Sequence, residues 1–435
     1  MPISNKKKNS RTRRLAYLLG VTLSYPVYGI EISGELNAGI GASDNIARTA
    51  QDPISDTYTL VGLKLDVVEE SRRVQATVSS QFDYLDYRDE TFDAELIGGL
   101  NGVVEFSLVE ERVAWIVQDN YGQQLFDPFT PATPSNREDV NLFTTGPTFN
   151  FLSPGRNHVD LDLRYSSENF ERRPDDNDRY SGRLQIGRDI NRESSVSFGG
   201  LFERVKFDGT AIEGDYDRVE GYIRYEATGK KNYFQMDAGA TDIDSETFRL
   251  SGPLIRINWT NNLSPKSRLI VSGGSALSDR SGRFRTVQDD VTDLRDTIDI
   301  TVLSAPFRND FFTANYRIDQ DRTNVDFRVS WAQEDYEGRS IADRDSRRSE
   351  IGIRRDLSRT VFGTARLGYI QREFKGLDRQ DDDIFGNLGI GIRIGSRFRL
   401  IGEFRYLERD SDADEGSFTD RRYSVRGIYT PRWMR

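Results

Sequence analysis

Residues 361–372 read VFGTARLGYIQR, and their side chains alternate in character with a period of two. One set is apolar, small or aromatic, namely Val361, Gly363, Ala365, Leu367 and Tyr369. The interleaved set is Phe362, Thr364, Arg366, Gly368, Ile370 and Arg372. Successive side chains of a β-strand point to opposite faces, so this stretch predicts a strand with one apolar face and one polar, arginine-bearing face.

The same alternation returns elsewhere, for example in residues 325–331 and 398–406. Helical periodicity is absent from the sequence pattern, whereas candidate strands follow one another along most of the chain. A closed barrel explains such repetition, because its outer face meets lipid and its inner face meets water. The sequence therefore predicts an all-β protein, a single transmembrane antiparallel up-and-down β-barrel.

The composition agrees with a barrel better than with a helical membrane protein. Only 36% of the 435 residues are hydrophobic, 11% are aromatic, and the mean hydropathy is −0.63. The sequence contains no apolar run of about 18 residues, the length that a transmembrane helix needs. It has no cysteine and one histidine, which excludes a disulfide framework and a structural zinc site.

The first 29 residues have the pattern of an export signal. Six basic residues between Lys6 and Arg14 precede the apolar stretch 15–23, and residues 27–29 offer a cleavage site. We expect residues 1–29 to be a signal peptide and residues 30–435 to be one barrel domain. Cleavage would move the net charge from −10 to about −16, and such an acidic protein is not expected to bind nucleic acid.

Short polar turns alternate with long charged connections, as they do in outer-membrane barrels with periplasmic turns and outer loops. We predict about 18–20 strands, an even number, with both chain ends in the periplasm. The predicted turns are 153–157, 191–194, 229–231, 264–266, 320–323, 357–359 and 395–397, and the predicted outer loops are 167–179, 208–215, 242–247, 278–309, 334–347, 374–383 and 408–420. The predicted strands of the first third are 31–41, 56–68, 73–84, 92–100, 112–119 and 140–151, with segment 98–111 the least regular.

Several motifs add a family resemblance that covers nearly the whole predicted barrel. They are DPF at 127–129, PATPSNREDVN at 131–141, TTGP at 144–147, APFRND at 305–310 and EDYE at 334–337. These motifs resemble the large family of outer-membrane β-barrel porins of Gram-negative bacteria, some of which are encoded with exopolysaccharide export machinery. The resemblance implies a cell outer membrane location. It also implies outer-membrane lipid, lipopolysaccharide and the barrel assembly machinery as partners, with polysaccharide or export-complex proteins as further candidates.

Arginine is the chemically informative residue of the chain, since 51 of the 60 basic residues are arginine. If each apolar face points outward, the polar faces line the lumen. The predicted pore-lining residues are Arg164, Arg183, Arg224, Arg256, Arg317, Arg328, Arg354, Arg366, Arg393, Arg405 and Arg426, with Asp326, Glu350 and Glu403 among their acidic neighbours. Such arginines could orient anionic solutes, or their ion pairs could only stiffen the wall.

Two other features bear on function. Pro128, Pro131 and Pro134 restrict one long connection, which could fold into the pore or cover the rim, and the rim is favoured. The single histidine, His158, follows a predicted periplasmic turn, so an enzymatic role is not expected.

We therefore predict a passive or weakly selective porin-like channel for polar or anionic solutes, which could serve as a conduit in exopolysaccharide export, without a cofactor or metal. The alternative is a structural barrel with a plugged lumen, whose outer loops bind surface polysaccharide or envelope proteins.

Overall fold

Twenty antiparallel strands make up most of the computed structural model, which describes residues 29–152, 156–208, 214–290, 305–336, 340–413 and 415–431. The predicted signal peptide lies outside these residues, apart from Gly29. The strands are β1 Ile30–Ser43, β2 Asp56–Glu70, β3 Val74–Tyr87, β4 Glu95–Val109, β5 Val113–Leu125, β6 Arg137–Leu152, β7 Asn157–Phe170, β8 Asn177–Asp189, β9 Ser194–Phe207 and β10 Tyr216–Thr228. They continue with β11 Asn232–Ser245, β12 Arg249–Ser264, β13 Ser267–Ser278, β14 Phe307–Gln320, β15 Thr323–Asp335, β16 Arg344–Asp356, β17 Val361–Phe374, β18 Arg379–Ile394, β19 Phe398–Ser411 and β20 Phe418–Tyr429.

The sheet closes on itself. Each strand pairs with the next along the chain, and β1 also pairs with β20, with Leu36 opposite Tyr429 and Ser43 opposite Arg422. Closure leaves no free sheet edge, so every strand has two hydrogen-bonded neighbours. The prediction of an antiparallel β-barrel is confirmed, and its 20 strands fall within the predicted range.

The irregular first third follows the same architecture. Segment 98–111, the least regular part of the predicted pattern, forms most of β4 and the tight turn after it. Gly98 explains part of the irregularity, because its φ of 147° is a backbone conformation that glycine adopts readily. The predicted strands of this region were correctly placed but too short, and β4 runs on to Val109.

The connections sort into two ends of the barrel. Nine connections of two to four residues lie at one end, which we call the turn end, and the other ten lie at the loop end. The seven predicted turns coincide with connections of the turn end, and the seven predicted loops with connections of the loop end. Within these connections, 153–155, 209–213, 291–304, 337–339 and 414 lie outside the described residues. The alternation of turns and loops along the sequence therefore predicted correctly which connections lie together at each end of the barrel.

The two faces of the sheet differ in chemistry. The outward face carries exposed aliphatic side chains such as Leu163, Ile223, Leu367 and Leu388. The lumen face carries most of the ion pairs, and small buried apolar clusters occur on it near the loop end. Among the described residues one α-helix occurs, α1 Arg280–Asp290, in the connection between β13 and β14. Within the described residues no helix is long and apolar enough to cross a membrane.

Candidate functional site: the charged lumen

The strand register places the eleven predicted arginines on a single face of the closed sheet. Directly paired residues share a face, and successive residues alternate between faces. Arg164 therefore shares its face with Ser181 on β8, and Arg366 shares its face with Gly352 on β16 and Asn387 on β18. Following the ladder around the barrel gives the lumen set Arg164, Arg183, Arg224, Arg256, Arg317, Arg328, Arg354, Arg366, Arg393, Arg405 and Arg426, together with Asp326, Glu350 and Glu403.

Most of these arginines are ion-paired along the wall. Arg224 binds Asp237 on the neighbouring strand through two nitrogens, at 2.7 and 2.9 Å. At least seven of the eleven lie within 4 Å of a carboxylate, as the pairs Arg164–Asp162, Arg224–Asp237, Arg256–Glu220, Arg317–Asp326, Arg393–Asp356, Arg405–Glu403 and Arg426–Glu403. The ladder therefore combines wall-bracing pairs with Arg183 and Arg354, which form no ion pair within 4 Å among the described residues.

Lumen charge is also sorted around the circumference, a feature that the arginine count did not reveal. On β16–β20 the lumen positions hold twelve arginines, namely Arg344, Arg348, Arg354, Arg366, Arg372, Arg379, Arg393, Arg399, Arg405, Arg409, Arg422 and Arg426, against six carboxylates. We call this arc the basic wall. On β1–β7 the lumen positions hold Glu31, Glu35, Asp56, Asp66, Glu70, Asp83, Glu95, Glu105, Glu138, Asp160, Asp162 and Glu168 against two cations. We call this arc the acidic wall.

The two walls meet where the barrel closes. Arg399 on β19 bonds to Glu35 on β1 at 2.5 Å across the intervening strand β20. Opposite charges arranged on two arcs create a field across the pore, and the low-dielectric wall strengthens it. The sequence held a signal for this sorting, because the lumen-facing positions of the first seven strands contain no arginine except Arg164.

The proline-containing connection 126–136 crosses the loop end of the lumen. Phe129 packs edge-on against Phe374 of β17 with ring centroids 5.1 Å apart, although β17 lies about half the circumference away from β5. The carbonyl of Ala132 accepts a hydrogen bond from Arg48 of the first loop at 2.6 Å. This connection, for which a rim position was favoured over folding into the pore, thus reaches across the opening to Phe374, the last residue of β17.

A second element enters the lumen at the start of the connection between β13 and β14. Asp279 is 1% exposed, and its carboxylate accepts hydrogen bonds from Arg179 at 2.7 Å and Tyr216 at 2.6 Å. Burial alone would raise the pKa of Asp279, but the charges of Arg179 and Arg218 outweigh it and hold the pKa well below its usual value. Asp279 thus fastens this segment to the wall formed by β8–β10.

The first turns of α1 extend this attachment across the barrel. Phe284 is fully buried against Val140, Leu142 and Phe170 on the lumen face of β6 and β7. Arg283, its neighbour, lies 3.5 Å from Glu334 on β15. Residues 279–285, which we call the inner segment, therefore connect two walls and narrow the lumen.

A basic side chain in the first loop is affected by the crowding at this end. Arg48 lies 3.3 Å from Asp420 and over the ring of Phe418. Burial lowers its pKa to about 9, and the nearby Arg422 adds to the effect while Asp420 opposes it. Charged side chains at the loop end are therefore partly shielded from water by one another.

His158 lies on the lumen face of β7 at the turn end, where its ring packs over Gly187. No group of three or more potential metal ligands occurs in the described part of the chain.

Comparisons with known proteins agree with the barrel. Residues 319–426 match the family model described as "Putative beta-barrel porin 2". No curated protein matches the chain.

Two solved structures are among those that align with this chain. The siderophore receptor PirA from Pseudomonas aeruginosa is 8% identical, with a TM-score of 0.45 and coverage of 92% of this chain and 80% of the receptor. OccAB3 from Acinetobacter baumannii is 10% identical, with a TM-score of 0.40 and coverage of 93% and 100%. The family match covers residues 319–426, about a quarter of the chain, and is consistent with the porin resemblance seen in the sequence; the fold is a closed antiparallel β-barrel.

Proposed function

We propose that the protein is a passive outer-membrane channel that passes polar solutes and favours anionic groups along its basic wall. The observation that carries this proposal is the sorting of lumen charge into two arcs. Guanidinium groups bind carboxylate and phosphate in a fixed fork, so a solute with an anionic group follows the arginines while its polar remainder faces the rest of the lumen. No covalent chemistry and no cofactor are part of this function.

The charge at the turn end supports entry from the periplasm. Every one of the nine short connections contains a lysine or arginine, such as Lys266, Arg322 and Arg359. In outer-membrane barrels the short turns face the periplasm, so an anionic solute or chain on that side meets a positive surface before the lumen. Conduction of an anionic exported polysaccharide is one form of this function.

Single-channel recording in planar bilayers tests the proposal. A stable conductance with a reversal potential on the anion side in a potassium chloride gradient is expected. Replacing Arg366 and Arg405 together by glutamate should move the reversal potential toward cations. Lys206→Glu, which reverses an exposed charge on the outward face of β9, should leave it unchanged. Heat-modifiable migration on gels checks that each variant is folded. A cation-selective parent channel would contradict the preference, and an unmoved reversal potential in the double variant would show that the basic wall does not set it.

A second candidate function rests on the two elements at the loop end. Connection 126–136 and the inner segment together narrow the lumen through buried contacts such as Phe129–Phe374 and Asp279–Arg179. A barrel sealed in this way would act as a structural or interaction protein whose outer loops bind surface polysaccharide or envelope proteins. The absence of any conductance in the folded parent protein would favour this candidate.

A further inference from the structure

We propose that the lumen near the turn end contains a binding site for a multivalent carboxylate or phosphate anion, with Arg354 and Arg393 as its two cationic groups. The inference rests on the proposed channel function and deepens it, because it names the chemical class that the pore holds and the place where it is held. Three observations carry it: the two arginines stack on one ring, one of them has no ion pair within 4 Å among the described residues, and further arginines lie in the adjacent turns.

The site is built on a ring that lies flat against the barrel wall. Phe362 on β17 stands opposite Gly391 on β18 and Asp356 on β16 in the register. A Cβ atom at Gly391 would overlap the Phe362 ring, so the ring occupies space that only glycine leaves open. With 2% of its surface exposed, Phe362 is a fixed platform and not a mobile side chain.

Two guanidinium groups share this platform. The central carbon of Arg354 lies 4.5 Å from the ring centroid, and that of Arg393 lies 4.9 Å from it. Both distances are within the range in which a ring attracts a cation. Arg393 also donates to Asp356 at 2.6 Å, across the ring from its own strand. The platform therefore holds two like charges close together and in fixed positions.

Arg354 has no close ionic partner, although the carboxylates of Asp356 and Glu35 act on it from farther away. Among the described residues, Arg354 forms no hydrogen bond and no ion pair within 4 Å, and its side chain is exposed. The comparable stack of Arg224 over Tyr222, at 5.5 Å, is saturated because Arg224 binds Asp237 through two nitrogens. A guanidinium cannot lose its proton in a protein, so the nitrogens of Arg354 keep donor capacity for a ligand.

The surroundings favour a ligand with more than one negative charge. Arg359 and Arg397 lie in the turns that flank β17 and β18 on the side of the opening. A bidentate fork matches the geometry of carboxylate and phosphate, and an anion with two such groups can satisfy Arg354 while it offsets the repulsion from Arg393. A monovalent ion such as chloride can satisfy Arg354 or offset the repulsion from Arg393, but not both.

Isothermal titration of citrate and of pyrophosphate into the detergent-solubilised barrel at low salt tests the site directly. The parent protein should bind both probes, and binding should weaken as sodium chloride is added. Arg354→Gln should weaken binding by roughly tenfold or more, the usual scale for one charge-assisted bidentate contact. Arg354→Lys, which keeps the charge and loses the fork, should give an intermediate loss.

The matched control is Arg183→Gln. Arg183 on β8 is also exposed on the lumen face and also forms no ion pair within 4 Å among the described residues, but no ring supports it. This variant should change the affinity by less than about twofold, since it alters only the general field. Absence of binding to the folded parent would overturn the proposal. Equal weakening by both glutamine variants would do so too, by assigning the binding to the field and not to a site.

The titration does not need an open pore. If the parent protein binds citrate but does not conduct, the channel function is contradicted and the anion site is supported. If it conducts but does not bind citrate, the anion site is contradicted and the channel function is supported.

Discussion

Replacing Asp279 by asparagine should release the inner segment from the wall of β8–β10. The carboxylate of Asp279 is buried, and it receives hydrogen bonds from Arg179 at 2.7 Å and Tyr216 at 2.6 Å. Asparagine has nearly the same shape but no charge, so it leaves the buried guanidinium of Arg179 without its main partner. The variant therefore tests the electrostatic attachment with little change in packing.

The size of the effect follows from the burial of the pair. Breaking a buried ion pair by removing one partner costs about 3–5 kcal/mol. Arg179 keeps weaker contacts with Glu168 and Glu203, both at 3.9 Å, so the lower end of this range applies. About 3 kcal/mol corresponds to a roughly hundredfold increase in the population of the detached inner segment.

A thiol introduced into the inner segment measures this population. The chain has no cysteine, so Ser281→Cys gives a single reactive group at a position that is fully buried. Maleimide labelling of this thiol should be roughly a hundredfold faster in the Asp279→Asn background. The control is Asp321→Asn, which removes the same charge from an exposed pair with Lys266 at 2.6 Å and should leave the rate unchanged. Equal labelling rates with and without Asp279 would refute the attachment.

The same assay gives a pH dependence with a defined sign. The folded-state pKa of Asp279 is held below its unfolded value, so its contribution to the attachment is present above the unfolded pKa and is lost only as the pH falls through the folded one. Labelling of the introduced thiol in the Ser281→Cys protein, normalised to a thiol introduced at an exposed position, should therefore stay slow from pH 7 down to about pH 5. Release near pH 6 would show that another group controls the segment.

Three further substitutions test other parts of the lumen. Phe129→Ala removes the contact with Phe374, a ring pair worth about 1 kcal/mol beyond its buried area, and should raise the occupancy of a higher-conductance state several-fold in single-channel recordings. Glu403→Gln removes the negative charge that Arg405 and Arg426 share and should move the reversal potential further toward anions; a shift toward cations would contradict the assigned face. Gly368→Ala places a Cβ against the flat ring of Phe385 and should destabilise the barrel by about 1–3 kcal/mol, seen as a lower temperature of heat-modified migration on gels.

The sequence predicted the fold because each strand of a transmembrane barrel can be identified from the pattern of its own residues. A period of two assigns every side chain of a strand to one of two faces, and the stretch 361–372 shows this without any knowledge of its neighbours. Alternating short turns and long connections then predicted which connections lie at the same end of the barrel. For the same reason the sequence could place Arg366, Arg354 and the other ladder arginines on one face, although their role in a pore remains a prediction.

The pairing of the charged side chains could not be predicted from the local pattern, because it depends on the strand register. Whether Arg224 meets Asp237, or Arg354 meets no carboxylate, depends on which residues stand opposite one another on adjacent strands, and a shift of one residue would reverse the outcome. The sorting of charge into two walls likewise needs the order in which strands close. The turn-end stack of Phe362 with two arginines needs both register and the absence of a side chain at Gly391.

The contacts at the loop end were the part of the structure that the sequence predicted least. Prolines 128, 131 and 134 restrict their connection but carry no information about direction, and only the fold shows that Phe129 packs against Phe374 at the end of β17. Asp279 and Phe284 belong to no motif in the sequence, yet they anchor the inner segment to strands about a hundred residues or more away. The sequence by itself therefore determined the barrel and the chemistry of its faces, since these follow from local alternation. Only the tertiary structure decided which charges are matched and how the lumen is narrowed, because those depend on contacts between distant strands.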